Sequence, residues 1–204
     1  MDYFEYGQKE VQYLKRKDKK LSAAIDRIGL IKREVTPEPF IALVSSVVAQ
    51  QISKKAAETV WRRLCELLHE ITPGNIIKAD EEYIQKCGMT MKKVGYIKGI
   101  ANAAISGEID FDKFHSLTDE EIIVKLSSLH GVGVWTAEML LIFSLNRPNI
   151  VSYKDLAICR GMMNLYGLKT LSKEQFEKYK KRYSPYGSAA SLYLWELSVE
   201  APVK

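Results

Sequence analysis

The sequence predicts an all-α protein, and three observations carry that expectation. Apolar residues recur at helical spacing in segment after segment. Capping-box pairs, a Ser or Thr with a Glu or Gln three residues on, stand at the head of two segments, Thr118 with Glu121 and Ser172 with Gln175. No stretch alternates with period two for long enough to propose a sheet. At 204 residues and 47% hydrophobic content the chain can bury a real core, with room for no more than two modest lobes.

Along the chain, Tyr3-Phe4-Glu5-Tyr6 puts three aromatics ahead of a lysine-rich segment, Lys15 to Lys20. This arm either docks or, as is commoner for a terminus, frays over the nearest apolar surface. Leu21, Ala24, Ile25 and Ile28 mark a short amphipathic helix closed by Gly29. Thr36-Pro37-Glu38-Pro39 is a helix start, and Phe40 to Ala49 is apolar nearly all round, as suits a buried helix. Gln50-Gln51-Ile52-Ser53 interrupts it. Two amides there want partners if buried, bonding local backbone at a helix junction, or else they face a cleft. Ser53 caps the next helix, whose Ala57, Trp61, Leu64 and Leu68 face the core, and Thr72-Pro73-Gly74-Asn75 reads as a turn. Gly88 is a stop and Thr90 a start. The helix after it buries Ile97, Ala101, Ala104 and Ile105 and ends at Gly107. Its Lys92, Lys93 and Lys98 lie elsewhere, as solvated surface or as a phosphate path.

The helix begun at Thr118 carries Ile122, Leu126 and Leu129 at helical spacing and breaks at Gly131-Val132-Gly133. Glycine tolerates positive φ and has no Cβ, so this hairpin can lay successive N–H groups against a phosphate. The dipole of a second helix, from about Trp135 to Leu145, adds to that attraction. Asn146-Arg147-Pro148 ends it, and a short extended piece, Asn149 to Tyr153, follows. Asp155 opens another helix, with Leu156, Cys159, Met163 and Tyr166 on one face and Gly167 as its stop. An Asp in that position usually does no more than cap. Ser172 then opens a basic helix through Lys178, Lys180, Lys181 and Arg182. Tyr183 to Gly187 leads to the last helix, where Ser188, Ala189 and Ala190 permit close approach and Leu192, Trp195 and Val199 pack.

Four segments in order, V-A-Q-Q-I-S from Val48, L-H-G-V-G-V-W-T-A from Leu129, V-S-Y-K-D-L-A-I-C-R-G from Val151 and Y-S-P-Y-G-S from Tyr183, resemble the helix-hairpin-helix (HhH-GPD) DNA glycosylases. The resemblance is strongest to the DNA-3-methyladenine glycosylase II branch. It implies two helical lobes, about 35–148 with the hairpin at 119–145, and 1–34 with 149–204, and an active-site cleft between them. It further implies a monofunctional enzyme of base excision repair that flips out alkylated purines of the 3-methyladenine type and hydrolyses the N-glycosidic bond. Asp155 would be the catalytic carboxylate, Trp135, Tyr186, Met139 and Gln50 the base pocket, and Gln51 the wedge that fills the gap in the stack. Gly131, Val132, Gly133 and Thr136 would hold the DNA backbone, and Lys154 is a phosphate contact or a surface charge. Backbone carbonyls of Ser127, Leu129 and Val132 would take a Na+ or K+ ion when DNA is bound. No organic cofactor and no iron–sulfur cluster is expected. The partner would be damaged double-stranded DNA, the enzyme a monomer, and its place the cytoplasm, on the nucleoid in a prokaryote.

Two departures limit what is carried over. Met139 stands where the bacterial inducible enzyme has a tyrosine and Tyr186 where it has a tryptophan, so base preference is not transferable. Trp135 occupies the place where the lyase branch has a Schiff-base lysine, and the clustered C-terminal cysteines of the iron–sulfur members are absent. The competing reading is a non-catalytic helix-hairpin-helix DNA-binding module; Asp155, Trp135, Tyr186 and Gln50 at matching places favour the enzyme. A helical interaction scaffold would explain neither the Gly-Val-Gly turn nor the aspartate.

Composition agrees without deciding. A net charge of +5 and a pI near 8.9 suit a polyanionic partner. Cys65, Cys87 and Cys159 are scattered, which reads as reduced core thiols, and His69, His115 and His130 show no metal-ligand spacing. The N-terminus is acidic and aromatic, and no apolar run approaches the ~20 residues of a membrane span, so neither export nor insertion is expected.

Overall fold

The computed structural model describes residues 2–200, which form twelve α-helices, one 3₁₀ turn and a two-strand ribbon among the described residues. None of these helices is long and apolar enough to cross a membrane. The chain divides into two units: Thr36–Leu140 is one, and the residues before and after it form the other. The second boundary falls between Leu140 and Leu141, inside a helix, rather than after Pro148. The last turn of that helix packs Phe143 against Trp195, ring centroids 5.4 Å apart, and so goes with the C-terminal helices.

In the middle unit, α3 (Pro39–Ala49) has Pro39 in its first turn and buries Leu43, Val44, Val47 and Val48. It packs against α4 (Lys54–Leu68) and α7 (Met91–Ile105). Thr72 to Asn75 is not a turn but a helix start: Thr72 Oγ1 accepts from the Asn75 amide at 3.1 Å, and Pro73 opens α5 (Pro73–Lys78). The same residue types serve both ends, because a Pro at the first helical position has no N–H to orphan. A further short helix, α6 (Glu81–Lys86), is capped by Asp80. Lys98 is neither surface nor phosphate path; its Nζ donates to the carbonyls of Ile77 and Ala79, at 3.2 and 2.8 Å. Phe111–Ser116 forms the 3₁₀ turn, and α8 (Asp119–Ser127) starts with the expected Thr118–Glu121 capping box. Trp61 is only half-buried.

In the other unit the aromatic arm is docked. Strand β1 (Asp2–Tyr3) pairs antiparallel with β2 (Glu34–Val35), and the Phe4 amide donates to the Arg33 carbonyl at 2.8 Å with its ring buried. Two-residue strands are too short to leave a period-two signal. The lysine-rich segment is helical: α1 (Gln8–Lys17) and α2 (Lys19–Ile28) meet at Asp18. Asp18 Oδ1 accepts from the Lys20 and Leu21 amides, and Oδ2 from Tyr166 at 2.6 Å and Arg182 at 3.0 Å. Burial alone would raise this carboxyl, but these hydrogen bonds together hold it below the usual carboxylate range.

Helix α10 (Leu156–Tyr166) ends at Gly167 in the left-handed conformation, as expected. Its buried face is not the expected one. Ile158, Gly161 and Met162 are inside, and Leu156 is 78% exposed. Gly161 decides this, because a Cβ there would overlap the Leu194 carbonyl of α12 (Gly187–Val199); the two helices close on the residue with no side chain. Val199, expected to pack, is 81% exposed at the end of α12. Helix α11 (Lys173–Tyr183) carries the Ser172–Gln175 capping box. Three hydroxyls buried along α12 find carbonyls: Ser188 that of Arg147, Ser191 that of Ile150 and Ser198 that of Trp195.

Candidate active site

Asp155 is 7% exposed. Its Oδ1 accepts from the Ala157 and Ile158 amides at 2.8 and 3.0 Å, which is the N-cap geometry the sequence predicts. The other oxygen, Oδ2, accepts from the indole Nε1 of Trp195 at 3.2 Å. Capping therefore engages one oxygen of the carboxylate, while a donor-only side chain orients the other. Trp195 was expected only to pack. Nothing in its spacing betrays a link to a residue forty positions earlier, and the pairing exists only because α10 and α12 are neighbours. Lys154 is exposed. Cys159 sits half-buried one turn into α10; burial pushes its thiol up, and the Asp155 charge adds to that. Tyr186 is half-buried at the start of α12 and meets Tyr13 edge-to-face, centroids 5.1 Å apart. Tyr13 also donates to the Ser184 carbonyl at 2.7 Å, fixing the loop that carries Tyr186.

The hairpin belongs to the middle unit. After α8 the Val132 amide donates to the Leu129 carbonyl at 3.1 Å, and α9 (Val134–Phe143) begins two residues later. Positive φ occurs at Gly131, +85°, and not at Gly133. A Cβ at Gly131 would run into the Tyr96 ring, whereas the corresponding position at Gly133 is open. The two glycines thus divide the expected work: Gly131 makes the turn, and Gly133 leaves space beside the exposed backbone. Val132 and Thr136, both expected at the DNA backbone, are buried. Trp135, 42% exposed, and Met139, half-buried, lie one turn apart on α9. Gln50, expected in a base pocket, donates its Nε2 to the Gly131 carbonyl at 2.8 Å. Its amide is committed to the hairpin. Gln51 is exposed, with φ of +58°.

The expected cation set is made of neutral carbonyl oxygens, hard donors of the kind hard cations take. Leu129 already uses one lone pair on Val132, leaving a second, and the buried Oγ of Ser127 finds no hydrogen-bond partner among the described residues. The residues present fit such an ion. Among the described residues no group of His, Cys, Asp and Glu could hold a metal.

A hairpin that bares backbone amides, followed by a capped and oriented aspartate, is the arrangement of a DNA repair glycosylase. The family model for HhH-GPD superfamily base excision DNA repair proteins matches residues 44–185, and the chain belongs to that superfamily. DNA-3-methyladenine glycosylase 1 of Schizosaccharomyces pombe is 36% identical over 166 residues, 79% of this chain and 73% of that protein. DNA-3-methyladenine glycosylase of Saccharomyces cerevisiae is 28% identical, over 78% of this chain and 66% of that one. Among solved structures, a DNA-3-methyladenine glycosidase from Bacillus halodurans superposes with a TM-score of 0.87 at 32% identity, covering 98% of this chain and 93% of that one. The Schizosaccharomyces pombe 3-methyladenine DNA glycosylase in complex with abasic DNA gives 0.85 at 32%, covering 97% and 100%.

Substituting the two hairpin glycines should give different results. Gly131→Ala forces a Cβ against Tyr96 at positive φ and should cost about 1–3 kcal/mol of stability in urea unfolding. Gly133→Ala should stay within ~0.5 kcal/mol of wild type and show itself only as weaker duplex binding. Equal losses of stability would refute the division of roles. Trp195→Phe keeps the ring beside Phe143 but removes the N–H, and should slow base release about tenfold or more, the worth of one hydrogen bond to a charged group. A rate equal to wild type in a single-turnover assay would show that Asp155 needs no orientation by the indole.

Proposed function

We propose that this chain is a monofunctional DNA glycosylase that extrudes an alkylated purine from duplex DNA and hydrolyses its N-glycosidic bond. The observation that carries the proposal is the buried Asp155 carboxylate, on which three N–H groups converge. Breaking the bond sends its electron pair out with the base and leaves a sugar with oxocarbenium character, which a fixed negative charge stabilises. Water then bonds to the anomeric carbon and loses a proton, giving free base and an abasic site. A methylated purine that is already cationic departs neutral, and it is drawn to aromatic faces. The exposed ring of Trp135 and that of Tyr186 serve this role in our reading. Gln51 fills the vacated space, and N–H groups of the hairpin at Gly131 and Gly133 hold phosphate, with Lys154 adding charge. A Na+ or K+ ion on the Ser127, Leu129 and Val132 carbonyls would add positive charge beside that phosphate.

The absence of lyase chemistry belongs to the same proposal: Trp135 offers no amine where a Schiff base would form. The protein acts as a monomer on damaged duplex DNA in the cytoplasm, with no organic cofactor and no iron–sulfur cluster.

Asp155→Asn provides the test, because Asn caps a helix as well as Asp and the fold is retained. Release of 7-methylguanine from a duplex should fall by a factor on the order of 10² or more, while duplex affinity, dominated by phosphate contacts, stays within about threefold. An Asn variant that releases base at the wild-type rate would remove Asp155 from the mechanism. A wild-type protein that binds duplex and releases no base from duplexes carrying 3-methyladenine, 7-methylguanine, hypoxanthine or ethenoadenine would make it a non-catalytic hairpin module.

A further inference from the structure

Lys93 carries a positive charge that the proposed reaction does not use. It sits near the start of α7, yet its Nζ donates to the carbonyls of Val48 at 2.7 Å and Gln50 at 2.6 Å. Burial holds its ammonium below the usual lysine range. Both acceptors are neutral carbonyls at the C-terminus of α3, where a helix leaves such groups without partners. Lys93 thus closes the end of the most apolar helix in its unit.

The next residue is the consequential one. Gln51 holds a left-handed backbone, φ +58°, with its side chain exposed. A non-glycine residue pays roughly 1–2 kcal/mol for that region and stays there only where the surroundings over-determine it. Here they do so from two sides. Lys93 grips the carbonyls before the turn, and Gln50 reaches across to the Gly131 carbonyl at 2.8 Å. Tyr96, three residues beyond Lys93 on α7, closes over the Cα of Gly131, the other positive-φ turn. One helix face therefore supports both the turn bearing Gln51 and the turn of the hairpin. Gln50, Gln51, Lys93, Tyr96 and Gly131 line a common cavity of about 280 Å³.

We propose that Lys93 is a positioning residue for base extrusion: through the Val48 and Gln50 carbonyls it fixes the turn that aims Gln51, in register with the hairpin that holds the phosphate. The inference rests on the proposed function, in which Gln51 enters the stack. It predicts a defect in opening a paired site, not in chemistry and not in holding DNA.

The test is single-turnover release of 7-methylguanine from two duplexes, with cytosine or a tetrahydrofuran abasic analogue opposite the lesion. Extrusion is cheaper when the lesion is unpaired, so Lys93→Met should slow release about tenfold or more opposite cytosine and less than about threefold opposite the analogue. Affinity for undamaged duplex should stay within about twofold, since phosphate contacts are untouched. Lys93→Arg, which keeps the donors, should lie closer to wild type. Combined with Gln51→Ala, Lys93→Met should add little further loss, because one acts through the other. Equal slowing on both duplexes, additive losses in the double variant, or wild-type behaviour of Lys93→Met would each overturn the inference. Lys93→Gln, which keeps one neutral donor, replaces Lys93→Met should circular dichroism show that variant unfolded. Wild-type release from neither duplex would overturn the proposed function itself, whereas wild-type release with equal slowing of Lys93→Met on both overturns only this inference.

Discussion

Asp155 is held by main chain on one oxygen and by the Trp195 indole on the other, and both holders depend on how closely α10 and α12 approach. That approach is set at Gly161, where the Leu194 carbonyl occupies the space a Cβ would need. Trp195 is the next residue after that contact. The segment leading into Asp155 is bound to the same helix, through Ser188 on the Arg147 carbonyl and Ser191 on that of Ile150. Helix α12 thus supports the carboxylate, its indole partner and the chain that delivers it. A larger residue at 161 would displace all three together, which is why a position remote from any chemistry matters to the site.

The middle unit uses the same logic with different chemistry. The hairpin closes its turn with a main-chain bond, the Val132 amide on the Leu129 carbonyl, and side chains from outside it hold the rest. Gln50 takes the Gly131 carbonyl and Tyr96 blocks its Cα from the other side. Beside them, the space a Cβ would take at Gly133 is open. In the proposed reaction binding and reading separate: main chain would hold phosphate irrespective of sequence, and the exposed ring of Trp135 would meet the base.

What the sequence revealed was local. Capping boxes at Thr118 and Ser172, the glycine stop at 167, the buried helix from Pro39 and the Gly-Val-Gly turn are each specified within a few residues, and the structure has all of them. What it concealed was tertiary. The buried face of α10 follows a glycine rather than its apolar stripe, since fit to α12 outweighs the hydrophobicity of Leu156. Lys93 and Lys98 look like surface charges because a pattern of cations along a helix does not show which of them reach back to carbonyls of other helices. Gly131 and Gly133 are chemically identical in sequence, and only backbone geometry tells which makes the turn. The link from Trp195 to Asp155 has no sequence signature at all, and neither does the commitment of Gln50 to the hairpin.

In the proposed reaction a fixed carboxylate, with Trp135 standing where a Schiff-base amine would be, releases a base by hydrolysis and leaves the strand intact. Product analysis of one reaction tests it most directly: a duplex with a single 7-methylguanine and a labelled strand, incubated with the wild-type protein and divided before and after a mild diamine at neutral pH, which cuts abasic sites and spares 7-methylguanine. The proposed reaction gives free 7-methylguanine, a full-length strand before the diamine and a cut at the lesion after it. Strand cleavage by the protein before the diamine, or a cut-free strand with no base released, would contradict it.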